Sequence, residues 1–149
     1  MKLDDTRYDK PTLEALEGFH RVWGRVTGPA QPQPHSRNQE ELLSLLHRLH
    51  RHYNALANLF HGEHRASLQK MARETARDFR CLQAEHYIRE GDFFRPGKTA
   101  LPKGKRAMLR SAVLLERSLA ACADGMYPHM SAAAEARCEK ATKLLIASI

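Results

Sequence analysis

The sequence predicts an all-α protein: a four-helix bundle made of two antiparallel helical hairpins joined by a long crossover, with a short amphipathic helix ahead of it. Two observations carry this. Four segments after residue 36 repeat apolar residues at alternating spacings of four and three, which keeps one stripe on one helical face packed at a shallow angle against its neighbours. The breaks between these segments are unequal, two short and one long, and no segment of strand period competes with them.

The first helix has the stripe Leu42, Leu46, Leu49, Tyr53, Leu56 and Phe60, with Ser36 and Asn38 as expected N-caps and Gln39 and Glu41 at capping-box distance from them. The second stripe is Leu68, Ala72, Thr75, Phe79, Leu82 and His86. The third is Leu109, Val113, Glu116, Ala120, Ala123 and Tyr127, and the fourth Ala134, Cys138, Ala141, Leu145 and Ser148. Helices one and two join near His61-Gly62, and three and four near Tyr127-Pro128-His129. Short links force antiparallel neighbours.

Between helices two and three, Gly91 to about Lys105 contains two prolines and three glycines, which argue against continued helix. About fifteen extended residues at about 3.3 Å each reach roughly 50 Å, enough to run the length of a helix of about 25 residues. An up-down-up-down bundle with an ornamented loop is the alternative. Ahead of the bundle, Thr12 to Thr27 reads as a short amphipathic helix with Leu16, Phe19, Trp23 and Val26 on one side, ended by Gly28-Pro29. A stiff Pro-rich linker follows, so residues 1–35 form a helix and linker and residues 36–149 the bundle. The helix is read as a flap over one end of the bundle. The alternative is an interface helix with Trp23 as the anchor for a protein partner or a second copy of the chain.

Composition narrows the function classes. The 149 residues are 42% hydrophobic and 28% charged, the size and balance of one globular domain, and no apolar run approaches the roughly 20 residues of a membrane span. The N-terminus lacks the apolar core of a secretory signal, and Cys81, Cys122 and Cys138 form neither a CxxC pair nor an even set. A reduced, cytoplasmic protein is expected. A net charge of +7 permits attraction to nucleic acid. The densest basic stretch, Lys98, Lys103, Lys105, Arg106 and Arg110, is instead read as a solvated loop, because interleaved aromatics and a helix-turn-helix pattern are missing there.

Residues 71 to 82, M-A-R-E-T-A-R-D-F-R-C-L, together with H-Y-N-A-L-A at 52 to 57, Y-I-R-E-G at 87 to 91, L-R-S-A-V-L-L-E at 109 to 116 and A-E-A-R-C at 134 to 138, carry a resemblance. Residues 40 to 148 resemble the rubrerythrin-like branch of the ferritin-like superfamily, and F-H-R-V-W-G-R-V at 19 to 26 looks like the lead-in of its small bacterial members. The resemblance implies two irons between the helices, held by a Glu from each of helices one and three and a Glu-x-x-His from each of helices two and four. In this sequence helix one offers Leu46, or His47 if the register slips by one. Helix two offers Thr75 and Asp78, helix three Glu116, and helix four Glu135 and Cys138. Only Glu116 and Glu135 match, so the di-iron site is degenerate and oxidase or peroxidase chemistry is not expected.

Two functions follow. The leading one is a non-catalytic bundle acting as a structural or interaction module, with no cofactor. The other is a metal-binding or redox protein that holds iron, manganese or zinc in a rearranged site of Glu116, Glu135 and Asp78, with Cys138 or His47. Glu116 lies on an apolar seam, where an ionised carboxylate costs several kcal/mol unless paired, so it requires a partner. The histidine pairs His47/His50 and His61/His64 have the spacing that shares a helical face, but spacing alone makes them polar edges of the stripe. His86 is expected to make a hydrogen bond near its helix end. All three cysteines are read as small core residues, with Arg137 and Lys140 beside Cys138 pointing away from the seam.

Overall fold

A computed structural model describes residues 34–148, and the predicted Trp23 helix lies outside them. Four helices follow in order: α1 Pro34–Ala57, α2 Gly62–Glu90, α3 Lys105–Ala123 and α4 Pro128–Ala147. Among the described residues there is no strand, and no helix is long and apolar enough to cross a membrane.

Contacts between helices set their directions. Gln39 bonds Glu85 while His50 bonds the Ala72 carbonyl, so α1 and α2 are antiparallel. Glu116 meets Arg137, and Arg106 reaches Ser148, so α3 and α4 are antiparallel as well. Gln39 also meets Tyr127 while His52 meets Ser111, which makes α1 and α3 antiparallel. An up-down-up-down chain would make α1 and α3 parallel. The crossover, residues 91–104, explains the difference. Gly91 ends α2 with φ +77°, its N–H returning to the Tyr87 carbonyl at 2.7 Å, a left-handed cap that suits glycine. The Gln83 amide then clasps the Phe94 backbone in both directions, at 2.7 and 2.9 Å. Farther along, Arg51 of α1 holds the Thr99 carbonyl, and Lys105 at the start of α3 lies over the Phe60 ring at 4.4 Å. The segment therefore runs from one end of the bundle to the other before α3 turns back.

Core packing follows the predicted stripe in α1, where Leu42, Leu46, Leu49, Tyr53 and Leu56 are all buried; Phe60, in the link past the end of α1, is buried as well. Four expectations are corrected. The helix is already under way at Pro34, so Ser36 and Asn38 lie inside α1 and do not cap it; Asn38 donates instead to Met126 Sδ. In α4 the buried stripe is Met130, Ala134, Arg137, Ala141 and Leu144, with Cys138 and Leu145 half-buried at its edge. That is a rotation of one residue about the shared alanines. In α3 the larger Leu119 takes the core position beside Ala120. Cys81 is exposed, on the outer side of α2.

Candidate functional site

Each helix contributes one residue to a polar cluster at the bundle centre: Tyr53 from α1, Glu74 from α2, Glu116 from α3 and Arg137 from α4. Glu116 is 0% exposed and Arg137 2%. The guanidinium meets the carboxylate side-on, Nε donating to Oε2 at 2.7 Å and Nη2 to Oε1 at 3.1 Å. The Tyr53 hydroxyl donates to the same Oε2 at 2.5 Å. Arg137 Nη1 lies 3.6 Å from Glu74 Oε1, which reaches partly into solvent. Alanines at 134 and 141, one turn either side of Arg137, leave room for its long side chain to lie inward.

Electrostatics makes the cluster one unit. Burial pushes the Glu116 carboxyl above the ordinary Glu range, and the Arg137 and Tyr53 hydrogen bonds restrain that rise. Burial and the neighbouring carboxylate push the Tyr53 phenol well up, which keeps it a donor. Burial alone would lower Arg137, but its hydrogen bonds to Glu116 win and hold it up. A guanidinium that stays charged at neutral pH holds its partner as a carboxylate. The need for a partner was legible in the sequence; the identity of Arg137 was not.

The other predicted site residues do not join this cluster. Leu46 is buried and offers no lone pair, and it rather than His47 takes the core-facing position. His47 is half-buried with its ring tilted against Phe79 at 5.9 Å, and burial lowers its pKa. Thr75 returns its hydroxyl to the Met71 and Ala72 carbonyls, both at 3.0 Å. Because those bonds stay within its own turn, Thr75→Val is expected to change stability by less than about 1 kcal/mol; a larger loss in thermal melting would assign the hydroxyl a tertiary role. Asp78 borders a different cleft, of about 400 Å³, with Glu85, Tyr127 and His129, and burial raises its pKa. Glu135 is exposed. Cys138 donates weakly to the Val113 carbonyl at 3.8 Å. Glu116, Glu135 and Cys138 do border one cleft of about 410 Å³. Among the described residues, however, no three His, Cys, Asp or Glu side chains are placed to hold a metal ion. The donor set does not fit a di-iron centre, since Leu46 has no lone pair, Thr75 is neutral and bonded within its own turn, and the buried Glu116 carboxylate is paired side-on with the Arg137 cation.

Two buried histidines have structural partners. His86 is buried and bonds the Asp92 carbonyl at 3.2 Å, tying the crossover to α2 as its place near the helix end implied. His52 is also buried, with Nδ1 donating to the Arg48 carbonyl at 2.6 Å and Nε2 accepting from Ser111 at 2.8 Å. Burial lowers the His52 pKa from 6.5, against the pull of the Arg48 carbonyl. The unfolded chain therefore takes up this proton first, so the His52 contribution to stability is full above pH 6.5 and is lost as pH falls through the lower folded value. His52→Gln is expected to flatten the fall in melting temperature between about pH 7.5 and 5.5; an unchanged slope would place the titration elsewhere.

No protein-family model, no curated protein and no solved structure matches the chain.

Proposed function

We propose that the chain is a ferritin-like, rubrerythrin-like helical bundle that has given up di-iron oxidase chemistry and serves as a structural or interaction module. The observation that carries this reading is the Arg137 guanidinium lying side-on against Glu116. It supplies, from the protein itself, the positive charge that a carboxylate in a bundle core otherwise takes from a cation. The up-down-down-up order and the long crossover support the family reading. The N-terminal segment around Trp23, which the sequence predicts to be an amphipathic helix, is the proposed surface for a protein partner or a second copy of the chain.

A second reading, iron, manganese or zinc handling, draws on the shared cleft of Glu116, Glu135 and Cys138. Metal analysis of untagged protein after exposure to Fe(II), Mn(II) and Zn(II) separates the two. The proposed function predicts far less than one metal per chain after gel filtration, and no Fe(II)-dependent oxygen uptake. Stoichiometric metal that disappears in Glu135→Ala, a change at an exposed side chain, would establish the second reading instead.

A further inference from the structure

The outer face of α2 carries charge that the core cluster does not use. Lys70, Arg73, Arg77 and Arg80 follow at spacings of three, four and three, which on a helix places them in one stripe. All four are exposed, and with His50 and Asn54 of α1 they border a groove of about 880 Å³. Among the described residues none of the four makes a hydrogen bond or ion pair, although Arg77 lends its field to Asp78. Glu74, the one acid bordering the groove, is committed inward to Arg137.

The stripe ends in aromatics. Tyr87, two turns beyond Arg80 on the same face, stacks on Phe93 with ring centres 4.4 Å apart and planes at 25°. These rings are 46% and 54% exposed, so a flat apolar surface stands in solvent at the end of a row of cations. From Lys70 to Tyr87 the helix rises about 25 Å.

We propose that this face binds single-stranded nucleic acid, with the four cations tracking the phosphates and the Tyr87–Phe93 pair stacking an unpaired base. Cations alone suit any polyanion. The exposed aromatic pair selects a single strand, whose bases are free to stack, whereas a duplex hides its base faces and an acidic peptide offers none. The site lies outside the Glu116 cluster and does not depend on the absence of metal chemistry there.

Fluorescence anisotropy of the full chain with a labelled single-stranded DNA or RNA of about 15 nucleotides tests this. Binding is expected to weaken with salt, and Arg73→Gln/Arg77→Gln/Arg80→Gln should lower affinity at least about ten-fold and reduce the log–log salt slope by about two. Tyr87→Ala should lower affinity roughly five- to one-hundred-fold. The control Lys98→Gln/Lys103→Gln/Arg110→Gln removes equal charge from exposed positions elsewhere and should cost less than about three-fold. Circular dichroism and melting verify that every variant folds. Equal losses in the two triple variants, no effect of Tyr87→Ala, or stronger competition by the matching duplex or by polyglutamate would each overturn the proposal.

Discussion

Glu116→Leu is expected to lower the melting temperature by roughly 10–15 °C, corresponding to about 3–5 kcal/mol. The variant leaves Arg137, 2% exposed, with no carboxylate nearer than Glu74 at 3.6 Å. It also removes the acceptor of the Tyr53 hydroxyl. A buried guanidinium without its partner retains its desolvation penalty and loses the attraction that offset it, which is why breaking one side of such a pair costs far more than the intact pair contributes. Arg137→Leu should be similarly damaging, because burial then acts on Glu116 with only the Tyr53 hydrogen bond left to restrain its pKa. Calorimetry checks both variants. A shift of only a few degrees would mean that the helices relax enough to let water reach the remaining charge.

The second large effect is expected at Leu46. It lies one and two helical turns before Leu49 and Tyr53 on the α1 stripe and is fully buried. Truncation at a loosely packed position would cost little. Here Leu46 belongs to the continuous apolar core with Leu42, Leu49, Leu68 and Leu109, so Leu46→Ala should destabilise by about 2–5 kcal/mol through lost burial and a residual cavity. Urea titration should show a lower midpoint with little change in slope. A loss below about 1 kcal/mol would mean that the core collapses into the space, and that this level of the bundle is not close-packed.

Much of the architecture was legible because leucine spacing and chain punctuation are local properties. The α1 stripe, the short link at His61-Gly62 and the Pro/Gly-rich crossover each depend on only a few neighbouring residues. Thr75 was legible for the same reason, since its hydroxyl bonds within its own helix. Arg137 was not. Arginine is usually exposed, and the inward placement of Arg137 follows from a one-residue rotation of α4 against a carboxylate on α3, a tertiary choice. Cys81 departs from expectation for a related reason: a small apolar side chain suits a core, but its angular position on α2 lies outside the buried stripe.

The electrostatic surface had a different obstacle. The densest run of basic residues in the sequence is Lys98 to Arg110, whereas the α2 cations are diluted in the sequence by Glu74 and Asp78 and gathered only by helical periodicity. Glu74 borders that groove but is paired with Arg137 on its inner side. The contact that completes the core cluster thus pairs the one acid bordering a groove that four cations also border.

The most direct measurement of the central claim, that Arg137 supplies the cation Glu116 requires, is a double-mutant cycle on Glu116→Leu and Arg137→Leu by denaturant unfolding. The double variant is expected to recover most of either single loss and to lie near or above wild type, because two packed leucines avoid the desolvation that each lone charge suffers. Additive losses, with the double variant less stable than either single one, would contradict it.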